Sequence, residues 1–175
     1  MKSLERMVNR KAYVHVYTGD GKGKTTAAFG LALRASGHGM RTYIGQFMKG
    51  RAYGEINALK GNPYITIEQF ADSECLLRKE EVYEKHIQQA CEGLHRSREA
   101  MLSGRFQIVV LDEINVAIWF GLVTEKQVLK FLDERPGNLE LVLTGRYACE
   151  SLMERAHVVT EMRCVEHYYA QGVCA

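Results

Sequence analysis

Apolar and polar positions along this chain switch repeatedly between a short and a long period. The stretch AYVHVYT (12–18) is β-branched and aromatic and stops at Gly19, which predicts a strand. TTAAFGLALRASG (25–37) is rich in Ala and Leu and predicts a helix ended by Gly37 and Gly39. RTYIGQFM (41–48) and YITIEQF (64–70) read as a second and a third strand, with GRAYGEINALKGNP (50–63) forming a short helical centre between them. From about Lys79 to Ser103 the spacing is helical: Tyr83, Ile87, Ala90, Leu94, Ser97 and Met101 predict one core-facing stripe, with Gly104 as the C-cap. FQIVVLDE (106–113) is a nearly continuous apolar run, the signature of a strand buried on both faces. A helix from about Thr124 to Arg135 is closed by Pro136-Gly137. LELVLTG (139–145) is another buried strand, YACESLMERA (147–156) a helix and HVVTEM (157–162) the last strand.

Alternating strands and helices predict an α/β fold, a mostly parallel central sheet covered on both sides in three layers. Ligands of such sheets sit at the carboxyl ends of the strands. That rule brings Thr18 to Thr26, Asp112 with Glu113, and Thr144 to Arg146 to one edge. No repeat or linker interrupts the pattern, so 12–175 reads as a single domain. Residues 1–11, with Lys2, Arg6, Arg10 and Lys11 against Glu5, read as a basic arm.

Composition narrows the class further. The 175 residues are 46% hydrophobic and 25% charged, with a net charge of +2 whose two signs are interspersed. This balance argues against general nucleic-acid or membrane-surface binding. No segment approaches the roughly 20 apolar residues of a membrane helix. MKSLERMVNRK is polar and no apolar core of a signal peptide follows it. Five cysteines, odd in number and without a CxxC, fit reduced thiols, so the expected location is the cytoplasm. Cys164-x-x-His167 lacks the two further ligands a zinc site needs.

The chemistry is concentrated in TGDGKGKTT (18–26). The phosphate-binding loop pattern is G-x-x-x-x-G-K-[ST]. Gly23, Lys24 and Thr25 fill its last three places, while Thr18 stands where the first glycine is usual. Gly19, Gly21 and Gly23 allow backbone N–H groups to turn around an anion, and the following helix adds its N-terminal dipole. Lys24 supplies a point charge for phosphate oxygens, Lys22 a second one at the loop tip, and Thr25 a hydroxyl for Mg²⁺. Thr26 caps the helix or touches phosphate. The acids that close IVVLDE, Asp112 and Glu113, match the pattern that brings a carboxylate to Mg²⁺, and the pattern leaves open which of the two touches it. Arg146, just past a buried strand, reaches a phosphate or pairs with a surface acid. His15 reads as a satisfied core histidine, and Trp119 with Phe120 as core or dimer contacts. These features define an Mg–ATP-binding domain of the P-loop NTPase-like type. On their own they favour a small phosphotransferase or an ATPase acting on the γ-phosphate.

A wider set of motifs points elsewhere. GHG (37–39), QFMKG (46–50), LDE (111–113), ERPGNLELVLTGR (134–146) and EHYYAQGV (166–173) accompany the loop at consistent spacing. Together, from about Tyr13 onward, they resemble the ATP:corrinoid adenosyltransferase family in its P-loop form. The resemblance implies transfer of the 5′-deoxyadenosyl group of ATP to Co(I) of a corrinoid, with release of intact triphosphate, in adenosylcobalamin synthesis or salvage. It implies that Gly19, Asp20, Gly21, Lys22, Gly23, Lys24, Thr25 and Thr26 hold the triphosphate and that Thr25 and Glu113 hold Mg²⁺. A flavodoxin-like reductant and a homodimer are the expected partners. FADSECLL (70–77) carries Phe70 as its only aromatic, where better-known members have an aromatic pair that displaces the lower ligand of cobalt.

Overall fold

The computed structural model describes residues 11–51, 53–72, 79–168 and 172. Six strands form one sheet: β1 (Val14–Thr18), β2 (Thr42–Phe47), β3 (Ile65–Phe70), β4 (Ile108–Asp112), β5 (Glu140–Thr144) and β6 (Val158–Glu161). Their spatial order is β3-β2-β4-β5-β1-β6, and every pairing is parallel, so the sheet is parallel throughout rather than mostly so. The helices are α1 (Lys24–Ser36), α2 (Gly54–Leu59), α3 (Glu84–Leu102), α4 (Ile114–Trp119), α5 (Glu125–Asp133) and α6 (Glu150–Glu154).

The central strands are apolar on both faces because both faces are covered. Ile108, Val110 and Val142 point to the layer of α1, where they meet Ala28, Phe29, Ala32 and Ala35. Val109, Leu111, Leu141 and Leu143 point to the opposite layer and meet Leu94 and Met101 of α3 and Phe131 of α5. All seven of these strand residues are almost fully buried. Truncating one of the larger ones to Ala costs on the order of 2–5 kcal/mol. Val158 and Val159 of β6, on the edge, are exposed instead.

Two differences from the sequence pattern have clear physical causes. The long helix expected from Lys79 is divided: a 3-10 turn at Lys79–Glu81 is followed by extended backbone at Tyr83, and α3 starts at Glu84. Tyr83 therefore stands outside the helix and is 64% exposed, not part of the core stripe. The stripe runs through His86, Ala90, Gly93, Leu94, Ser97, Ala100 and Met101, and Ile87 is partly buried at its side. The second difference is α4, six residues that follow β4 directly and that no cap signals, since Glu113 before it is in left-handed backbone.

β5 lies between β1 and β4, so the carboxyl ends of these three strands stand side by side. The loop after β1, the acids after β4 and the turn after β5 meet there.

Candidate active site

The loop between β1 and α1 is shaped by close backbone contact as well as by anion chemistry. Gly23, with φ 120°, is the N-cap of α1. Gly21 donates its N–H to the carbonyl of Met162, 2.6 Å away, just past β6. A Cβ on Gly21 would lie 2.7 Å from the Arg163 backbone, too close for any side chain. Gly21 thus has a structural reason beside the anion cradle expected of Gly19, Gly21 and Gly23, since its own N–H is held by Met162. Lys24 is buried and donates to the carbonyls of Gly19 and Gly21, at 2.6 Å each. Lys22 is exposed, donates to the Tyr168 hydroxyl and lies 4.9 Å from the centre of that ring.

Asp112, fully buried, is the hub beside the loop. Its Oδ1 accepts from the hydroxyls of Thr25 at 2.9 Å and Thr144 at 2.7 Å. Its Oδ2 accepts from Gln46 Nε2 at 3.0 Å and Lys49 Nζ at 2.8 Å. Gln46 is opposite Asp112 in the β2–β4 register, and its own carbonyl oxygen accepts from Gln69 at 3.0 Å. A buried carboxylate needs such partners to remain charged. Glu113 faces the cleft, 3.9 Å from Lys49 Nζ. The Thr144 hydroxyl accepts the backbone N–H of Glu113 at 3.0 Å and so fixes the turn that follows the strand.

Lys49 joins these groups. Besides Asp112 and Glu113 it donates to Thr25 Oγ1 at 2.9 Å. Burial works against its charge, but the carboxylates of Asp112 and Glu113 outweigh that and hold its pKa above the ordinary lysine value. Lys24 goes the other way, lowered chiefly by burial in spite of Glu113. Burial, with Asp112 next to it, pushes the Glu113 carboxyl up against the pull of Lys49, Lys24 and Arg146.

These groups open into a cleft of about 1100 Å³. Asp20 through Thr26, Lys49, Glu113 and Arg146 line its polar end. Leu33, Tyr53, Trp119 and Tyr147 line the rest, each more than a third exposed. Trp119 is stacked on Tyr147, with ring centres 4.7 Å apart and planes at 28°. Of the pair expected as core or dimer contacts, Phe120 packs against the core and also borders the cleft, whereas Trp119 is not core: it is exposed and lines the cleft. Arg146 is exposed in the cleft wall. His15 is half-buried away from the cleft and satisfied, with Nε2 2.7 Å from Glu140 and Nδ1 3.2 Å from the Tyr17 hydroxyl. Among the described residues, Met48, Glu113 and Tyr147 are the non-glycine residues with positive φ, and all three line the cleft. Such backbone costs on the order of 1 kcal/mol or more each and persists where surrounding structure imposes it.

The sequence brought Lys24, Thr25, Asp112, Glu113 and Arg146 together correctly as one edge. It did not single out Lys49 as a site residue. Its signal was QFMKG, where the register of β2 against β4 carries the chain past Asp112. Of FADSECLL, residues 73–77 lie outside the described residues, as do 169–171 and 173 of EHYYAQGV and the basic arm through residue 10.

An all-parallel α/β sheet with a phosphate loop after β1 and an acid pair after β4 defines a P-loop nucleotide-binding protein. The model of one family, described as ATP:corrinoid adenosyltransferase BtuR/CobO/CobP, matches residues 10–175, and the chain belongs to that family. It is 32% identical over 176 residues to a corrinoid adenosyltransferase of Sinorhizobium sp, covering 99% of this chain and 82% of that one. A corrinoid adenosyltransferase of Escherichia coli (strain K12) is 32% identical, covering 95% of this chain and 84% of its own. The corrinoid adenosyltransferase CobA of Salmonella typhimurium is 33% identical, covering 94% and 83%.

Proposed function

We propose that the protein transfers the 5′-deoxyadenosyl group of ATP to the cobalt of a reduced corrinoid. The observation that carries this is the shape of the cleft. One cavity runs from the phosphate loop to the stacked, exposed pair Trp119 and Tyr147. Its volume of about 1100 Å³ stands at the upper end of the range of a few hundred to about 1000 Å³ usual for ligand sites, which leaves room for a nucleotide beside a large flat co-substrate.

The electron pair of Co(I) attacks C5′ and forms the Co–C bond. The C5′–O bond breaks, and its electrons leave on the triphosphate oxygen. No proton moves at the reacting carbon, so the protein's work is positioning and stabilising charge on the leaving group. Lys24, Lys22 and Arg146 bring positive charge to the triphosphate, and Thr26 borders it. Lys24 exchanges the loop carbonyls of Gly19 and Gly21 for phosphate oxygens.

The donor set of Thr25, Glu113 and Asp112 consists of hard oxygens gathered around one ammonium, which fits Mg²⁺. When bound, Mg²⁺ would neutralise phosphate charge. Thr25 and Glu113 would hold it, with Asp112 orienting the threonine hydroxyl. A homodimer, a flavodoxin-like electron donor and a cytoplasmic location belong to the same reading.

The test is to incubate the protein with Mg–ATP and chemically reduced corrinoid. A light-sensitive alkylated corrinoid and one triphosphate for each one formed are expected. ADP and phosphate without alkylated corrinoid would overturn the proposal in favour of γ-phosphate transfer or hydrolysis.

A further inference from the structure

Lys49 fills the place where a divalent ion would have to sit. Its ammonium is 2.8 Å from Asp112 Oδ2, 2.9 Å from Thr25 Oγ1 and 3.9 Å from Glu113 Oε1. The direction of the Thr25 hydroxyl sharpens the point. It donates its proton to Asp112 Oδ1 and accepts from Lys49. The lone pair that a metal would use is therefore already taken by a cation. Replacing that cation with Mg²⁺ requires no reversal of the Thr25–Asp112 hydrogen bond. Without Lys49 or a metal here, the fully buried Asp112 and the adjacent Glu113 would lose the one ammonium that faces both carboxylates.

We propose that Lys49 is a tethered cation that holds the metal position in the nucleotide-free protein and gives it up only when a triphosphate brings Mg²⁺ in. The inference rests on the reading of Thr25, Asp112 and Glu113 as the metal site. Two cations repel in a shell this small, so metal alone gains little by entering. A triphosphate changes the balance, because it supplies new oxygens to the departing ammonium. Lys49 lines the same cleft as Lys24 and Arg146, and its stem is long and flexible. Lys49 thus makes metal binding conditional on nucleotide, and it adds to the positive charge on the triphosphate once displaced.

The experiment uses Mn²⁺ as the probe and the full chain, with free Mn²⁺ read by electron paramagnetic resonance. Nucleotide-free wild type is expected to bind Mn²⁺ weakly. Lys49→Met removes one unit of charge from the shell and should bind it tighter by on the order of tenfold or more. Lys49→Arg keeps the charge and should bind as weakly as wild type. In thermal melts without nucleotide, Mg²⁺ should raise the Tm of Lys49→Met and leave wild type unchanged. Tight Mn²⁺ binding by nucleotide-free wild type overturns the proposal without any variant. Equal Mn²⁺ affinity in wild type and Lys49→Met overturns it as well. The same titration with ATP separates the two readings. If Glu113→Ala weakens Mn–ATP binding but Lys49→Met gains nothing, the metal site stands and the role of Lys49 falls. If Glu113→Ala and Thr25→Val both leave Mn–ATP binding unchanged, the metal site falls and the proposal with it.

Discussion

Thr144 and Asp112 meet across the β4–β5 ladder, hydroxyl to carboxylate, at 2.7 Å. The same hydroxyl accepts the N–H of Glu113, so one threonine holds both acids of the site in place. Thr144→Val removes a hydrogen bond to a buried charge and leaves an N–H without its acceptor. The expected loss is on the order of 1.5–3 kcal/mol in urea unfolding, with most of it restored in Thr144→Ser. A Thr144→Val protein as stable as wild type would show that Asp112 does not depend on this partner.

Lys24→Ala should fold normally and lose roughly 10²–10³ in kcat, as expected when a preorganised group that stabilises leaving-group charge is removed. Circular dichroism checks the fold, and formation of alkylated corrinoid checks the rate. Full activity in Lys24→Ala would contradict the role in stabilising triphosphate.

Glu113→Ala should raise the Mg²⁺ concentration needed for half-maximal activity while Asp112 keeps its four hydrogen bonds. A metal titration of the rate reads this directly. An unchanged requirement would transfer the metal contact to Asp112.

Lys24 predicts a pH signature. A base whose pKa falls on folding weakens the fold below that lowered pKa and ceases to do so as pH rises above it. A triphosphate against Lys24 favours the charged form and reverses the shift. ATP binding should therefore take up protons in the alkaline window between the lowered pKa and the ordinary value of 10.5. Calorimetry in buffers of different ionisation heat measures the uptake. Lys24→Arg, which stays charged throughout, should abolish it. Heats that do not vary with buffer in wild type would count against this assignment.

Trp119→Ala tests the other end of the cleft. Loss of one stacked face should raise KM for the corrinoid by on the order of tenfold and change KM for ATP little. The reverse pattern would make the Trp119–Tyr147 pair an adenine site.

The residues explain which parts of this were legible in advance. Strand faces such as Val109 and Val110 are apolar on both sides, and that pattern needs only a parallel sheet between two layers. The phosphate loop is local, so Lys24 and Thr25 could be read from neighbouring letters. Lys49 could not be, because its partners lie 24 and 63 positions away and meet it only through strand register. The exposure of Trp119 in the cleft was not legible because α4 is short and begins from left-handed backbone at Glu113, which no local propensity signals. Gly21 was explained by anions alone, since the approach of residues 162 and 163 depends on where β6 pairs.

That last contact governs when the site comes into being. The phosphate loop leaves a ribosome well before the backbone that Gly21 leans on, which is made more than 140 residues later. β1 also has β5 and β6 as its neighbours, both from the final third of the chain. A nascent chain that has already exposed its glycines and lysines therefore lacks the backbone that shapes the loop until residues 162 and 163 follow, and a polypeptide cut short before Met162 carries the motif without that support.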